Sequence, residues 1–262
     1  MRPTEGEGIL VRARPCGERG AVWSIFCRER GKICGYANKD KRIPAQPGDA
    51  VHYVWSARAE GQLGRFTVEL LSVGGAAATR AATLYAMRAL PALADKAFQE
   101  RDPHPDAYDA LQRFFACVAE RPSDVNAHLY AYFRAEAVIL RDMGYGLAAE
   151  RCAFDGCDRP PAYLSPKTGR AACLVCGEPY KEKAFSLSPA EFSLLKRNAS
   201  HLITLSFRDA AHVAEILAFY WNSSAFEGRL ENELPERVPL VRHIAEYAAR
   251  THTNEAKEES CA

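Results

Sequence analysis

Four cysteines gathered within 25 residues are the groups in this chain best placed to do chemistry. Four residues separate Cys152 from Cys157, two separate Cys173 from Cys176, and fifteen lie between the pairs. Two short knuckles of this kind can bring four thiolates to about 2.3 Å from one zinc ion in a tetrahedron. Turn formers sit at both knuckles, Gly156 inside the first and Gly177 just after the second. The run 159–172 carries Pro160, Pro161, Pro166 and Gly169. It reads as a short hairpin, with Tyr163-Leu164 before a turn at 165–169 and residues 170–173 after it. A segment so rich in loop formers needs a staple, and a metal supplies one. Catalytic zinc keeps three protein ligands and an open position, whereas four thiolates close the shell. The expected Zn2+ is therefore structural. Four free thiols, or two transient disulfides, are the alternative. The other five cysteines, Cys16, Cys27, Cys34, Cys117 and Cys261, are scattered and read as inert. An odd total of nine argues against a disulfide framework.

A second chemistry is suggested by charge. The 262 residues carry a formal net charge of only +1. Residues 1–42 nevertheless hold ten Lys/Arg against five acids, while 231–262 hold four against seven. A basic front end is a footprint for a polyanion, although a solvated charged surface gives the same count. The candidate contacts are Arg12, Arg14, Arg28, Arg30, Lys32, Lys39, Lys41 and Arg42. Trp23, Phe26, Tyr36, Tyr53 and Trp55 interleave with them. Small barrels hold single strands with a basic groove and aromatic platforms. Trp23 and Trp55 fall in phase with apolar neighbours and belong to a core. Phe26 and Tyr36 are better placed for exposure, yet fit a core as well.

The elements that must position these groups differ along the chain. Residues 7–73 alternate with period two in five short runs, separated by turn residues at 15–20, 29–31, 44–48 and 60–64. Five strands in about 70 residues suit a small closed barrel; an SH3-like barrel would fit the pattern too. Gly74-Gly75 marks a change of style. Helical spacing then predicts helices at 83–98, distorted at Pro91, at 106–120, and at 126–143, stopped by Gly144 and Gly146. After the cysteine-rich insert come three more, at 189–198, 210–221 and 240–251. Acids on these helices, Glu136 and Asp142 among them, are spaced like a solvated face. The fold class is α+β, with a β-barrel over 1–78. A helical domain over 79–262 contains the zinc module at about 150–183.

Composition excludes several classes. A 48% hydrophobic and 26% charged chain is an ordinary globular one. It has no apolar run of about 18 residues and no signal-peptide core, which points to a soluble cytoplasmic protein without membrane contact. There is no GK[ST] phosphate loop, GxGxxG, HExxH or GxSxG. No enzyme chemistry is expected. A zinc-ribbon nucleic-acid-processing enzyme, such as a nuclease, is the alternative. A zinc-stapled scaffold that binds only protein is a third reading.

Several stretches, in their order along the chain, resemble the RecO family. They are Glu7-Gly8-Ile9-Leu10-Val11-Arg12, then Gly17-Glu18, then Phe26-Cys27-Arg28-Glu29-Arg30-Gly31-Lys32 and the basic loop 37–42. In the middle come 103–111, Tyr132-Phe133-Arg134-Ala135-Glu136 and Gly144-Tyr145-Gly146-Leu147. Cys152, Tyr163, Ser165-Pro166, Gly169 and the pair Cys173 and Cys176 complete the match. The resemblance implies an N-terminal OB-fold and a helical domain bearing a zinc module. It implies a bacterial, nucleoid-associated mediator that binds single- and double-stranded DNA and anneals complementary strands. It also implies partnership with RecR, contact with the C-terminal tail of single-strand DNA-binding protein, and indirect help in loading RecA. Arg134 and Arg141, seven apart on one helix face, would suit that acidic tail, or structural salt bridges.

Overall fold

The computed structural model describes residues 3–18, 20–38, 45–59, 62–74, 78–196 and 204–259, with side chains through 250. They fall into two compact units, Met1–Ser123 and Asp124–Ala262. The first unit holds five strands and two helices. The strands are β1 (Thr4–Cys16), β2 (Gly20–Cys27), β3 (Gly31–Asn38), β4 (Ala50–Ser56) and β5 (Gly64–Ser72). They close a barrel in the order β1-β2-β3-β5-β4, with the β3–β5 pairing parallel and the others antiparallel. Five strands in this order give an OB-like barrel. The seam between β3 and β5 is short: Gly35 with Gly64, Tyr36 with Arg65, and Ala37 with Phe66.

Period-two alternation fills this barrel. Leu10, Trp23, Ile25, Val51, Tyr53, Trp55 and Phe66 form its interior and are buried. Trp23, Tyr53 and Trp55 are thus core groups, and the Trp55 indole N–H is satisfied by the Cys34 carbonyl at 3.0 Å. Phe26 points outward yet is fully buried, because two helices cover that face. These are α1 (Ala81–Ala97) and α2 (Pro105–Glu120). Phe98, just past α1, stacks on Phe26 at 5.2 Å, and Tyr108 of α2 tilts against it at 6.1 Å. Pro91 lies inside α1 without ending it. Pro105 opens α2, where its missing N–H costs nothing.

Charge fixes these helices to the strands. Asp95 on α1 is buried, accepts from Arg12 of β1 at 3.0 Å, and lies 3.4 Å from the Lys32 ammonium of β3. Lys32 also donates to the Asp95 carbonyl. On α2, Asp109 takes Arg28 through both carboxylate oxygens, at 2.8 and 3.1 Å. The loop between the helices closes on the β2–β3 turn. Arg101 N–H donates to the Lys32 carbonyl at 2.9 Å. Gly31, at φ +66°, faces Asp102 so closely that a Cβ would stand 2.1 Å from its carbonyl oxygen. Only glycine fits there, on both conformational and steric grounds.

The second unit is built around α3 (Val125–Leu140), capped by Asp124. A π-helical turn, Arg141–Tyr145, ends it at Gly144, whose φ is +93°. A three-stranded sheet follows, β7-β6-β8, from β6 (Pro161–Leu164), β7 (Ala171–Cys173) and β8 (Phe185–Ser186). The β6–β7 hairpin is the one expected from the prolines and glycine. Short α4 (Leu174–Gly177) carries the second knuckle, and α5 (Pro189–Leu195) starts at a Ser188–Glu191 capping box. Then come α6 (Phe207–Ser223), α7 (Leu230–Glu233) and α8 (Val238–Glu259). None of the described helices is long and apolar enough to cross a membrane.

Glu136 departs from expectation. It is not on a solvated face: α3 is buried nearly all round, and Glu136 has no exposed surface. Its Oε1 accepts from the Trp221 indole and from Arg237 Nε, both at 3.0 Å, and Arg237 donates on to the Ala214 carbonyl. Burial disfavours the Arg237 cation, but the adjacent carboxylate outweighs it and raises its pKa. Burial, with Glu136 alongside, pushes the Tyr132 phenol well above its ordinary value.

Removing Asp95 strands two cations against a barrel they now help to anchor. Breaking a fully buried pair costs about 3–5 kcal/mol; since Arg12 remains partly in water, Asp95→Ala is expected to lower unfolding free energy by roughly 2–3 kcal/mol. Urea denaturation of the purified chain checks this, and an unchanged midpoint contradicts it.

Candidate metal centre and nucleic-acid interface

The two knuckles meet. The ligand atoms of Cys152, Cys157, Cys173 and Cys176 all lie within 4.8 Å of one another. Cys157 Sγ is 3.6 Å from Cys173 Sγ and 3.8 Å from Cys176 Sγ. A tetrahedron with metal–sulfur bonds of about 2.3 Å has edges of about 3.8 Å, so the donor set fits one ion. Backbone groups already favour the thiolate form. The Cys173 N–H donates to Cys152 Sγ and the Cys176 N–H to Cys173 Sγ, each at 3.4 Å. The latter donor is the main reason the Cys173 thiol drops to about 6. These four cysteines can therefore hold a metal ion. Among the described residues no fifth His, Cys, Asp or Glu joins this group.

The site hangs on β7 and α4. Cys173 ends β7 and caps α4, and Cys176 lies within that helix. Cys152 is tied in by the Ala153 N–H, which donates to the Ala171 carbonyl of the same hairpin. Beyond the sulfurs the module exposes Leu174, Val175, Phe154 and Tyr180.

The barrel's predicted cations separate into distinct groups. Arg12 and Lys32 are held by buried Asp95. Arg28 is held by Asp109. Arg14 and Arg30 are exposed and have no ion-pair partner among the described residues. Lys39, Lys41 and Arg42 lie outside the described residues. Strand register collects an outward row that no one strand displays: Arg14 opposite Val22, Val22 opposite Tyr36, and Tyr36 opposite Arg65. Tyr36 is half-buried, its ring resting where a Cβ of Gly20 would be. The Arg65 guanidinium stands 5.7 Å from that ring. The row thus carries a half-buried aromatic, with the Arg65 guanidinium over its ring, between two exposed cations.

Sequence reading missed Arg65, Asp95 and Asp109. Arg65 was accessible in principle, since it alternates with Phe66, Val68 and Leu70 on β5. The acids were not: Asp95 lies 83 residues from Arg12, and Asp109 lies 81 from Arg28. In the second unit, Arg134 donates to the Leu194 carbonyl at 3.0 Å and Arg141 pairs with Asp142 at 3.1 Å. The two arginines do share a shallow pocket with Ala137, Leu147 and Leu195.

Two family models match the chain, and they divide it at a different point from the two compact units. The family "Recombination protein O N terminal" matches residues 1–73, and "Recombination protein O C terminal" matches 79–218. The DNA repair protein RecO of Sinorhizobium medicae is 31% identical over 95% of this chain and 97% of its own. That of Caulobacter vibrioides is 35% identical over 92% and 97%, and that of Bartonella tribocorum 33% over 90% and 93%.

If the four sulfurs share one ion, purified protein carries one metal equivalent, and Cys173→Ser loses most of it. Chelation should then loosen the 161–173 hairpin, whose end carries Cys173. Metal analysis with limited proteolysis tests this; a metal-free chain equally resistant to cleavage refutes it.

Proposed function

The chain belongs to the RecO family of DNA repair proteins, and from that premise we propose that it is a non-catalytic recombination mediator. On this reading the barrel binds single- and double-stranded DNA and complementary strands are annealed on it. Together with RecR and single-strand DNA-binding protein, the chain then helps to load RecA, in the bacterial cytoplasm at the nucleoid. The observation that carries the reading is the outward row of Arg14, Val22, Tyr36 and Arg65. Exposed guanidiniums meet phosphates, while a phenol ring between them suits an unstacked base. Such contacts are indifferent to sequence, as annealing requires.

Arg28 and Arg30, on the β2–β3 turn, are further candidate contacts, and Lys39, Lys41 and Arg42 are candidates by charge alone. Arg12 and Lys32 contribute mainly by fixing the site's shape, because their charge is engaged by Asp95. The metal is zinc in this reading: four thiolates at tetrahedral spacing select it over harder cations. Its role is to brace the insert. The pocket that Arg134 and Arg141 line together with apolar Leu147 and Leu195 is the candidate for the acidic C-terminal tail of single-strand DNA-binding protein. The functional modules are assigned to 1–78 and 79–262, which follows the family matches. The first two helices nonetheless pack with the barrel.

A salt-titrated anisotropy assay on a single-stranded oligonucleotide tests the proposal. Arg14→Glu with Arg65→Glu should weaken binding at least tenfold and flatten the log K against log salt slope by about 1.4, roughly 0.7 for each phosphate lost. Tyr36→Ala should cost about 1–3 kcal/mol at unchanged slope. Annealing should proceed without nucleotide and without strand cleavage in Mg2+. Binding insensitive to ionic strength sinks the proposal, and metal-dependent cleavage favours the nuclease reading.

A further inference from the structure

The Arg28–Asp109 pair has the geometry of a complex rather than of a scaffold. Nε and one terminal nitrogen of the guanidinium meet the two carboxylate oxygens at 2.8 and 3.1 Å. This fork-on-fork arrangement is the one by which arginine takes a phosphodiester. The pair sits in water: side-chain exposure is 54% for Arg28 and 28% for Asp109. By contrast, Asp95 exposes 7%, serves two cations, and is backed by the Lys32 contact to its own carbonyl. One acid is built into the unit; the other can be exchanged.

We propose that Asp109 is an internal stand-in for a DNA phosphate, which holds the Arg28 fork pre-oriented and yields it when the backbone arrives. The inference rests on the reading of the barrel as the DNA site and adds to it a positioning residue supplied by α2. Three features support it. Arg28 leaves the β2–β3 turn beside Arg30, on the rim of the same barrel. The Arg28 cation is favoured chiefly by its bond to Asp109, so the carboxylate, not burial, is what keeps it in place. A guanidinium already splayed for a bidentate acceptor also loses less freedom when a second such acceptor replaces the first. The consequence is a contact whose strength is the difference between two similar anions. The site then discriminates by local geometry: an isolated anion must out-compete a tethered carboxylate, whereas a polymer held elsewhere on the barrel arrives at high effective concentration.

The test uses the full chain and a single-stranded oligonucleotide, with anisotropy read across a salt series. Asp109→Asn should tighten binding about three- to fivefold at low salt, since an exposed ion pair contributes no more than that factor. The salt slope should stay close to that of the wild type, because Arg28 meets the same phosphate in both chains and only the competing carboxylate is gone, whereas Arg28→Gln should flatten it by about 0.7. Asp109→Ser provides a second route to the same change. The double variant Arg28→Gln with Asp109→Asn should fall back to the affinity of Arg28→Gln alone. Asp106→Asn removes the same charge from the same helix and should give a smaller gain at unchanged slope. If Asp109→Asn leaves affinity where it was while the wild type binds, the stand-in role is overturned and the barrel reading survives. A gain that persists without Arg28, or that Asp106→Asn reproduces in full, also overturns it, because removing any nearby negative charge would then suffice. A wild type that does not bind overturns both readings.

Discussion

A carboxylate buried near the C-terminal end of a helix has little in its favour. It is dehydrated, and it faces the negative end of the helix dipole. Asp95 stands in that position on α1, which ends at Ala97. What makes it tolerable is a pair of cations from two different strands, Arg12 of β1 and Lys32 of β3. That requirement sets the register of α1 on the barrel. With α1 in place, Phe98 reaches Phe26, the following loop lies against Gly31, and α2 starts where Asp109 can reach Arg28. Much of the N-terminal unit follows from satisfying one acid.

The same constraint changes how the basic front end is understood. Ten cations against five acids describe the first 42 residues as a polyanion site. The structure shows that some of this charge is engaged within the unit: Arg12 and Lys32 share Asp95 and Arg28 pairs with Asp109, acids supplied far along the chain. What remains for a partner is a smaller, better-defined set along one outward row and the β2–β3 turn. A near-neutral protein can thus carry a local field without excess charge, because placement rather than total charge decides where an anion is drawn.

The legible parts of the sequence were those governed by local rules. Alternation marked all five strands, since each barrel strand has one wet or helix-covered face and one buried face. Cysteine spacing marked the four-sulfur cluster and its hairpin, because both are closed by residues near each other in the chain. Local rules failed where pairing is long-range. Phe26 has the phase of an outward residue and is outward; its burial comes from helices some 70 to 80 residues away, which alternation does not register. Glu136 was misread because a polar residue on a helix normally marks the wet side, and α3 has almost no wet side. Its partners, Trp221 and Arg237, lie 85 and 101 residues downstream.

The short parallel seam between β3 and β5 has a consequence for how the barrel breathes. Three residue pairs close it, whereas the hairpin pairings on either side are longer and local in sequence. Opening free energies vary across a fold, and the fewest bonds part first. An opened seam offers two unpaired edges, which are templates for pairing with another chain. Tyr36 and Arg65, opposite each other across this seam, also form one end of the outward row. On the proposed reading, a polyanion laid along that row would bridge the two edges and raise the cost of opening with the logarithm of its concentration above Kd.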